Sequence, residues 1–376
     1  MLEPDITVRL VSESAEFQAF HDQWNELVDQ STYPNFFRRF EWVTLWWKWF
    51  GESLGKLHVL LVSNDDRLVA AVPLWKSGKR LQFLGYGARP CPEYPGLIIK
   101  PDCQDVACSA IEEWLEANGN QWDEIVFDEF ALDDTVTVRF VERLKARYPT
   151  WAKEGESRYF IPLPETYDEY LATRSSHNRQ KKRTRLRKAI NSYQAVAKKA
   201  EVSQVDSWFP LLPKFSTMSL TRRGSVSPWL QKDFAAFHRE LMETLIPSGE
   251  VRLLFLECNE QPVAFRYGFT YGKKFYAYQT ACDPSHPSRP GDTLTQLALM
   301  QLIEEGYTEF DFLRGLEDYK SNWTDFKRET EVVHVFRRKG FSYWKRVIWE
   351  NVIRPLGRKI KWSFMQSKTS HPPDMS

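Results

Sequence analysis

Asp311-Phe312-Leu313-Arg314-Gly315-Leu316-Glu317-Asp318-Tyr319-Lys320-Ser321-Asn322-Trp323 begins inside a run, Thr308–Leu313, that reads as a strand, and then leaves it as a loop. Strand ends in α/β folds collect chemistry, because a rigid scaffold there carries unusual loop residues. Within the loop, Asp311 is placed to accept a proton from an attacking amine. Arg314 and Lys320 suit a pyrophosphate or a developing oxyanion, while Tyr319 and Trp323 suit cleft walls. Upstream, Gly306 stops a helix over Asp292–Glu305 that follows the Pro-rich loop Asp283-Pro284-Ser285-His286-Pro287-Ser288-Arg289-Pro290-Gly291. Such a turn into a helix N-terminus suits a phosphate, which makes Arg289, Gly291, Asp292 and Thr293 candidate donor-binding residues and Asp283 a substrate-side one.

Further outward, the second half reads as helices over Val205–Leu220 and Pro228–Thr244, then strands at Val251–Glu257, Val263–Tyr271 and Lys274–Thr280. The first half has the same order: helices over Ser14–Gln30 and Arg39–Phe50, and strands at Leu57–Ser63, Leu68–Lys76, Arg80–Gly85 and Gly96–Ile99. A helix over Cys103–Asn118 and a strand at Glu124–Asp128 complete it. Leu68-Val69-Ala70 echoes Pro262-Val263-Ala264, and Ile125-Val126-Phe127-Asp128 echoes Phe310-Asp311-Phe312, at offsets near half the chain. The reading is a duplicated α/β unit with mixed sheets flanked by helices. The units are 1–158 and 159–340, followed by a basic aromatic helix and tail at 341–376. Asp128 matches Asp311 but lacks the Arg-Gly…Tyr-Lys sequel, which makes the first unit a substrate wall.

The 376 residues carry a net charge of +1, unevenly spread: residues 1–150 sum to −9 and the remainder to +10. The basic half implies an anionic partner. Its densest part is a polar helix expected over residues 167–200, where no acid lies between Glu169 and Glu201. Arg179, Lys182, Arg183 and Arg187 are its candidate phosphate ligands. Without interleaved aromatics it is no stacking platform for nucleic acid, and DNA is not an expected partner. From Arg337 to Trp362, basic residues alternate with Trp, Phe and Ile. That pattern suits either an interfacial membrane helix or a closing helix packed on the second unit. Five cysteines without ligand spacing indicate neither a disulfide framework nor a metal site. With no secretory signal and no long apolar run, the expected place is the cytoplasm, with contact at the inner membrane face as the variant. No GxSxG, HExxH or P-loop occurs, and Cys282, His177 and His238 have no placed catalytic partner.

Several segments together resemble the GNAT acyltransferase superfamily, in its CelD-like branch linked to cellulose and exopolysaccharide clusters and related to the FemAB transferases. They are Phe40-Glu41-Trp42…Trp46…Trp49-Phe50-Gly51, Leu68-Val69-Ala70-Ala71-Val72-Pro73-Leu74, the basic run Ser176…Arg187, Pro262-Val263-Ala264, Pro290-Gly291, and Asp311-Phe312-Leu313-Arg314-Gly315…Tyr319-Lys320…Trp323. The resemblance implies tandem GNAT units and acyl transfer from acyl-CoA, acetyl-CoA first, to an amine such as an amino sugar. It also places Trp46 with the substrate-binding residues and Lys320 near substrate phosphate. Arg289-Pro290-Gly291-Asp292-Thr293-Leu294 departs from the usual pyrophosphate loop, with its first glycine one place early and the second missing. Two other readings stay open: a FemAB-like enzyme using aminoacyl-tRNA, and a non-catalytic adaptor binding an anionic envelope precursor.

Overall fold

The computed structural model describes residues 6–87, 90, 92–221, 224–315 and 319–353. The first unit opens on a four-stranded antiparallel sheet in the order Ile6–Val11, Val59–Asn64, Arg67–Val72, Ile98–Ile99. The single strand expected over Leu68–Lys76 is two strands, Arg67–Val72 and Leu74–Ser77, in different sheets. Pro73 lies at the break, where a missing N–H interrupts the ladder. Leu74–Ser77 then pairs with Arg80–Phe83, which runs parallel to Glu124–Ala131 after the helix Gln104–Ala117.

The second unit repeats this plan. Val251–Cys258, Gln261–Tyr271 and Lys274–Cys282 form an antiparallel meander. The helix Pro290–Glu304 follows, and Glu309–Asp311 returns parallel to Lys274–Cys282. One parallel strand after one helix is thus the shared signature of both halves.

The units are joined through their sheets. Arg158–Pro162 pairs with Glu309–Asp311 in the second unit's sheet. Thr330–Phe336 crosses back to lie between Glu124–Ala131 and Thr150–Glu154. The hydrophobic core is shared as well: Phe36 stacks on Phe269 at 4.1 Å, and Trp42 packs edge-on against Phe237 at 5.3 Å.

The polar helix expected over 167–200 is instead Tyr167–Ala172, then Ser176–Tyr193, then an edge strand, Val196–Lys199. The Ser175 hydroxyl caps the second helix, and Gln194 ends it in the left-handed conformation, φ 48°. Alternate burial of Ala195 and Ala197 fits the strand that follows. The helix expected over Ser14–Gln30 likewise divides into Ser14–Gln18 and His21–Gln30. A helix absent from the sequence reading, Thr135–Arg147, is capped by the Asp134 carboxylate and buries Val136, Phe140, Val141 and Leu144.

Near the C-terminus, Phe341–Ile348 leaves Phe341 83% and Trp344 52% exposed, with Ile348 also outward. Its contacts run to the first unit: Tyr343 packs on Phe336, and Arg346 approaches Glu124 at 3.8 Å. It therefore does not pack its Trp and Ile on the second unit, as a closing helix there would. Residues 354–376 lie outside the described residues. No helix among the described residues is long and apolar enough to cross a membrane.

Candidate active site

Lys274–Cys282 and Glu309–Asp311 are hydrogen-bonded only at one end, from Lys274↔Glu309 to Tyr276↔Asp311. Beyond that point one chain continues straight and the other turns away, opening a notch. A cavity of about 720 Å³ occupies it. One wall is Tyr278 to Cys282, another is Tyr319, Asn322 and Trp323, and the basic helix supplies Asn178, Lys181, Lys182 and Arg185. Gly291, Asp292 and Thr295 come from the start of Pro290–Glu304, and Arg266 from the adjoining strand. Among the described residues that line it, four cations thus face one carboxylate, a field that suits an anionic ligand.

Lys182 is buried, with Nζ 3.0 Å from the centre of the Trp323 ring and 4.0 Å from Asp292 Oδ1. Burial brings its ammonium down to about 8, with Asp292 opposing the shift. Arg185 Nη1 lies 3.7 Å from Asp292 Oδ2, which also accepts from Gln296 Nε2 at 3.2 Å.

The helix start contributes little by itself. Pro290 has no N–H, and those of Asp292 and Thr293 turn back to the Arg289 carbonyl at 3.1 Å. A Cβ added at Gly291 would meet only Cys282 Sγ, at 3.8 Å, so no tight backbone cradle exists there. What this mouth offers an anion is therefore its side chains.

Asp311, Arg314 and Lys320 lie close together but do not line the cavity. Asp311 is fully buried and accepts from Tyr94 Oη at 2.6 Å, Arg328 Nη1 at 2.8 Å and Leu313 N at 2.7 Å. Burial pushes its carboxyl up to about 6 in spite of Arg328. Lys320 Nζ is buried and donates to three carbonyls, those of Phe312 (3.2 Å), Leu313 (3.1 Å) and Arg314 (2.7 Å). Leu313, at φ 57°, sits in the left-handed region that side chains disfavour. The Asp311 and Lys320 bonds hold it there. Arg314 reaches across to the first unit, where Nε meets Glu93 Oε1 at 2.6 Å and Nη2 the Pro92 carbonyl at 2.9 Å.

Glu93 is the hub of that crossing. Burial alone would push its carboxyl up, but Arg314 and Arg158 outweigh it and hold Glu93 below the usual carboxylate range. Arg158 is itself wholly buried, 2.9 Å from Glu93 and bound also to Glu129 and the Glu156 carbonyl.

Of the residues singled out in the sequence, the cavity brings together Lys182, Gly291, Asp292, Tyr319 and Trp323. Arg289 borders the adjoining cleft of Pro284 to Asp292. The others lie elsewhere. Thr293 donates to the Ser288 carbonyl at 2.8 Å, and Asp283 caps its own turn through Ser285. Arg183 pairs with Asp168 at 2.8 Å, and Arg179 and Arg187 lie on the helix away from the cavity lining. Trp46 is buried in the first unit, bonded to the Pro90 carbonyl at 3.0 Å. Arg266 went unnoticed. Its signal was an arginine within the apolar run Val263-Ala264-Phe265-Arg266-Tyr267.

Comparison with known proteins bears on the fold. No curated protein matches the chain. Residues 180–321, which hold most of the cavity lining, match the family model of an acetyltransferase (GNAT) domain. Among solved structures, FemX is 11% identical, with 92% of this chain and 99% of that one covered at a TM-score of 0.60. The C-terminal domain of a lysylphosphatidylglycerol synthetase from Agrobacterium fabrum is 12% identical, covering 86% and 92% at 0.55. L-PGS from Bacillus licheniformis is 13% identical, covering 89% and 96% at 0.54. The chain therefore has the tandem GNAT-like α/β fold that its sequence led us to expect.

Proposed function

We propose that this protein is an acyltransferase that moves an acyl group from a phosphate-bearing thioester, acyl-CoA, to an amine. The observation that carries the proposal is the cationic cavity in the notch between Lys274–Cys282 and Glu309–Asp311, within the segment that matches the acetyltransferase domain. Lys181 and Arg185, at the mouth, meet the donor's phosphates, and the acyl carbon lies inward beside the unpaired stretch of the strand. No nucleophile is needed on the protein. The amine nitrogen forms the new C–N bond as the C–S bond breaks, and the amine's proton must leave before or during attack. Burial brings the Lys182 ammonium down to about 8, and in its uncharged form Lys182 takes that proton and passes it to the departing thiolate. Asp311, Arg314 and Lys320 act as positioning residues, fixing the loop that carries Tyr319 and Trp323. The resemblance to the CelD-like branch favours an amino sugar of an envelope or exopolysaccharide precursor as acceptor.

The test is amine-dependent release of free CoA thiol from acetyl-CoA, with glucosamine among the acceptors. Release that rises with amine concentration supports the reading. A chain that binds acetyl-CoA but releases no thiol with any amine contradicts it.

A second reading has one observation in its favour. Away from the cavity, Ser176–Tyr193 exposes Arg183, Arg187 and Lys188, charge beyond what one donor molecule in the cavity meets. An aminoacyl-tRNA donor would use it. Steeply salt-dependent tRNA binding without any acyl-CoA binding would favour that alternative.

A further inference from the structure

Arg266 is out of place in its strand. Gln261–Tyr271 is otherwise buried and apolar through its middle, and Arg266 is only 2% exposed. Its guanidinium borders the cavity and lies 5.2 Å from the centre of the Phe310 ring. Nη2 donates to Thr295 Oγ1 at 2.6 Å, and that hydroxyl is itself committed to the Gly291 carbonyl at 2.7 Å. Nε has no partner, and among the described residues no carboxylate lies within ion-pair distance of Arg266. Burial holds its pKa down to about 10, as expected of a cation lacking a counter-charge.

A buried, unpaired guanidinium destabilises the fold unless something compensates it. Other buried arginines show the ordinary solution: Arg38, Arg158, Arg252 and Arg328 each pair with a carboxylate. Among the described residues Arg266 has none, yet it borders a space large enough for a ligand. The fork of a guanidinium matches a planar two-oxygen acceptor. A single buried cation between Phe310 and the strand suits a monoanion. The polyanionic phosphates of a donor are better served at the mouth, where Lys181 and Arg185 stand nearer solvent.

We propose that Arg266 receives a ligand carboxylate inside the cavity, and so selects a carboxylate-bearing acyl group or a carboxylate-bearing amine. The nature of the two candidate ligands rests on the acyl-transfer reading; the carboxylate site itself does not.

The experiment measures affinity on the full chain with paired probes. The donor arm compares succinyl-CoA with butyryl-CoA. The acceptor arm compares glycine with glycinamide and 2-amino-2-deoxyglucuronate with glucosamine. In one arm the wild type is expected to bind the carboxylate member about tenfold or more tighter, as a charge-assisted bidentate pair allows. Arg266→Gln should collapse that ratio to about unity while leaving butyryl-CoA affinity within about threefold. Arg266→Lys, which keeps the charge without the fork, should fall between the two. Because the unliganded charge is uncompensated, Arg266→Gln should not lower the thermal midpoint of the free protein.

A ratio unchanged in Arg266→Gln, or no carboxylate preference by the wild type in either arm, overturns the proposal. So does a large drop in the free protein's midpoint with the ratio preserved, since Arg266 would then be structural. If no CoA ester binds the wild type but a carboxylate amine still binds in an Arg266-dependent way, the donor reading fails and the carboxylate site stands.

Discussion

Replacing Arg158 with Met is expected to lower the free energy of unfolding by about 3–5 kcal/mol, the usual result of removing one partner from a buried ion pair. Arg158 and Arg314 face Glu93 and Glu129, two charges of each sign where the units meet. Without Arg158, Glu93 stays buried with Arg314 as its remaining cation, and the Thr330 hydroxyl loses a donor at 3.2 Å. Thr330 begins the strand that crosses back into the first unit, so the damage reaches both sheets. Urea melts of Arg158→Met, Glu93→Gln and the double variant would measure this. The double variant should be less destabilised than the two single changes summed, because the partners interact directly. A single unfolding transition is also expected, since strands and core are shared. A change below about 1 kcal/mol, typical of surface positions, would mean the network does not hold the units together.

The second large effect falls on chemistry. Lys182→Met should reduce the rate of transfer by about 10²–10³, the usual range for a positioned proton acceptor. In the wild type, kcat/KM should climb with pH and level off above about 8, where Lys182 is uncharged. That limb should vanish in Lys182→Met. Lys182→Arg separates two roles. An arginine keeps a phosphate contact but cannot give up its proton, so a rate as low as that of Met assigns Lys182 to proton transfer. Retention of most activity in Lys182→Arg would make Lys182 a phosphate ligand only. Stability should also rise with pH. The folded-state pKa lies below the ordinary lysine value, so between about 8 and 10.5 the unfolded chain binds more protons and the wild type gains stability as pH rises. Lys182→Met lacks that rise.

Much of the fold was legible because local signals agreed. The hairpin at Asn259-Glu260, the stops at Gly119 and Gly306, and the repeated strand order all act over a few residues. Pairing across the chain was not legible. Nothing local to Thr330–Phe336 says that it lies beside Glu124–Ala131, because a β-rich apolar strand fits either sheet equally well.

The candidate site shows the same division. The cationic run gave Lys182, and the post-strand loop gave Tyr319 and Trp323. The loop's charges also answer to what a buried turn needs. Leu313 in the left-handed region leaves carbonyls that require a donor, and Lys320 supplies it. Asp311 and Arg314 likewise answer to Tyr94 and Glu93, more than 200 positions away, partners that no local pattern reveals. Arg266 was the reverse case, a charge too well hidden in an apolar strand to draw notice.

Calorimetric titration of acetyl-CoA into the wild type and into the Lys181→Ala/Arg185→Ala double variant asks most directly whether this cavity is the donor site. The account predicts saturable wild-type binding that weakens with added salt, and a dissociation constant at least about tenfold higher in the double variant, as the loss of two charge-assisted contacts implies. Equal affinity in the two proteins, or no binding by the wild type, would contradict it.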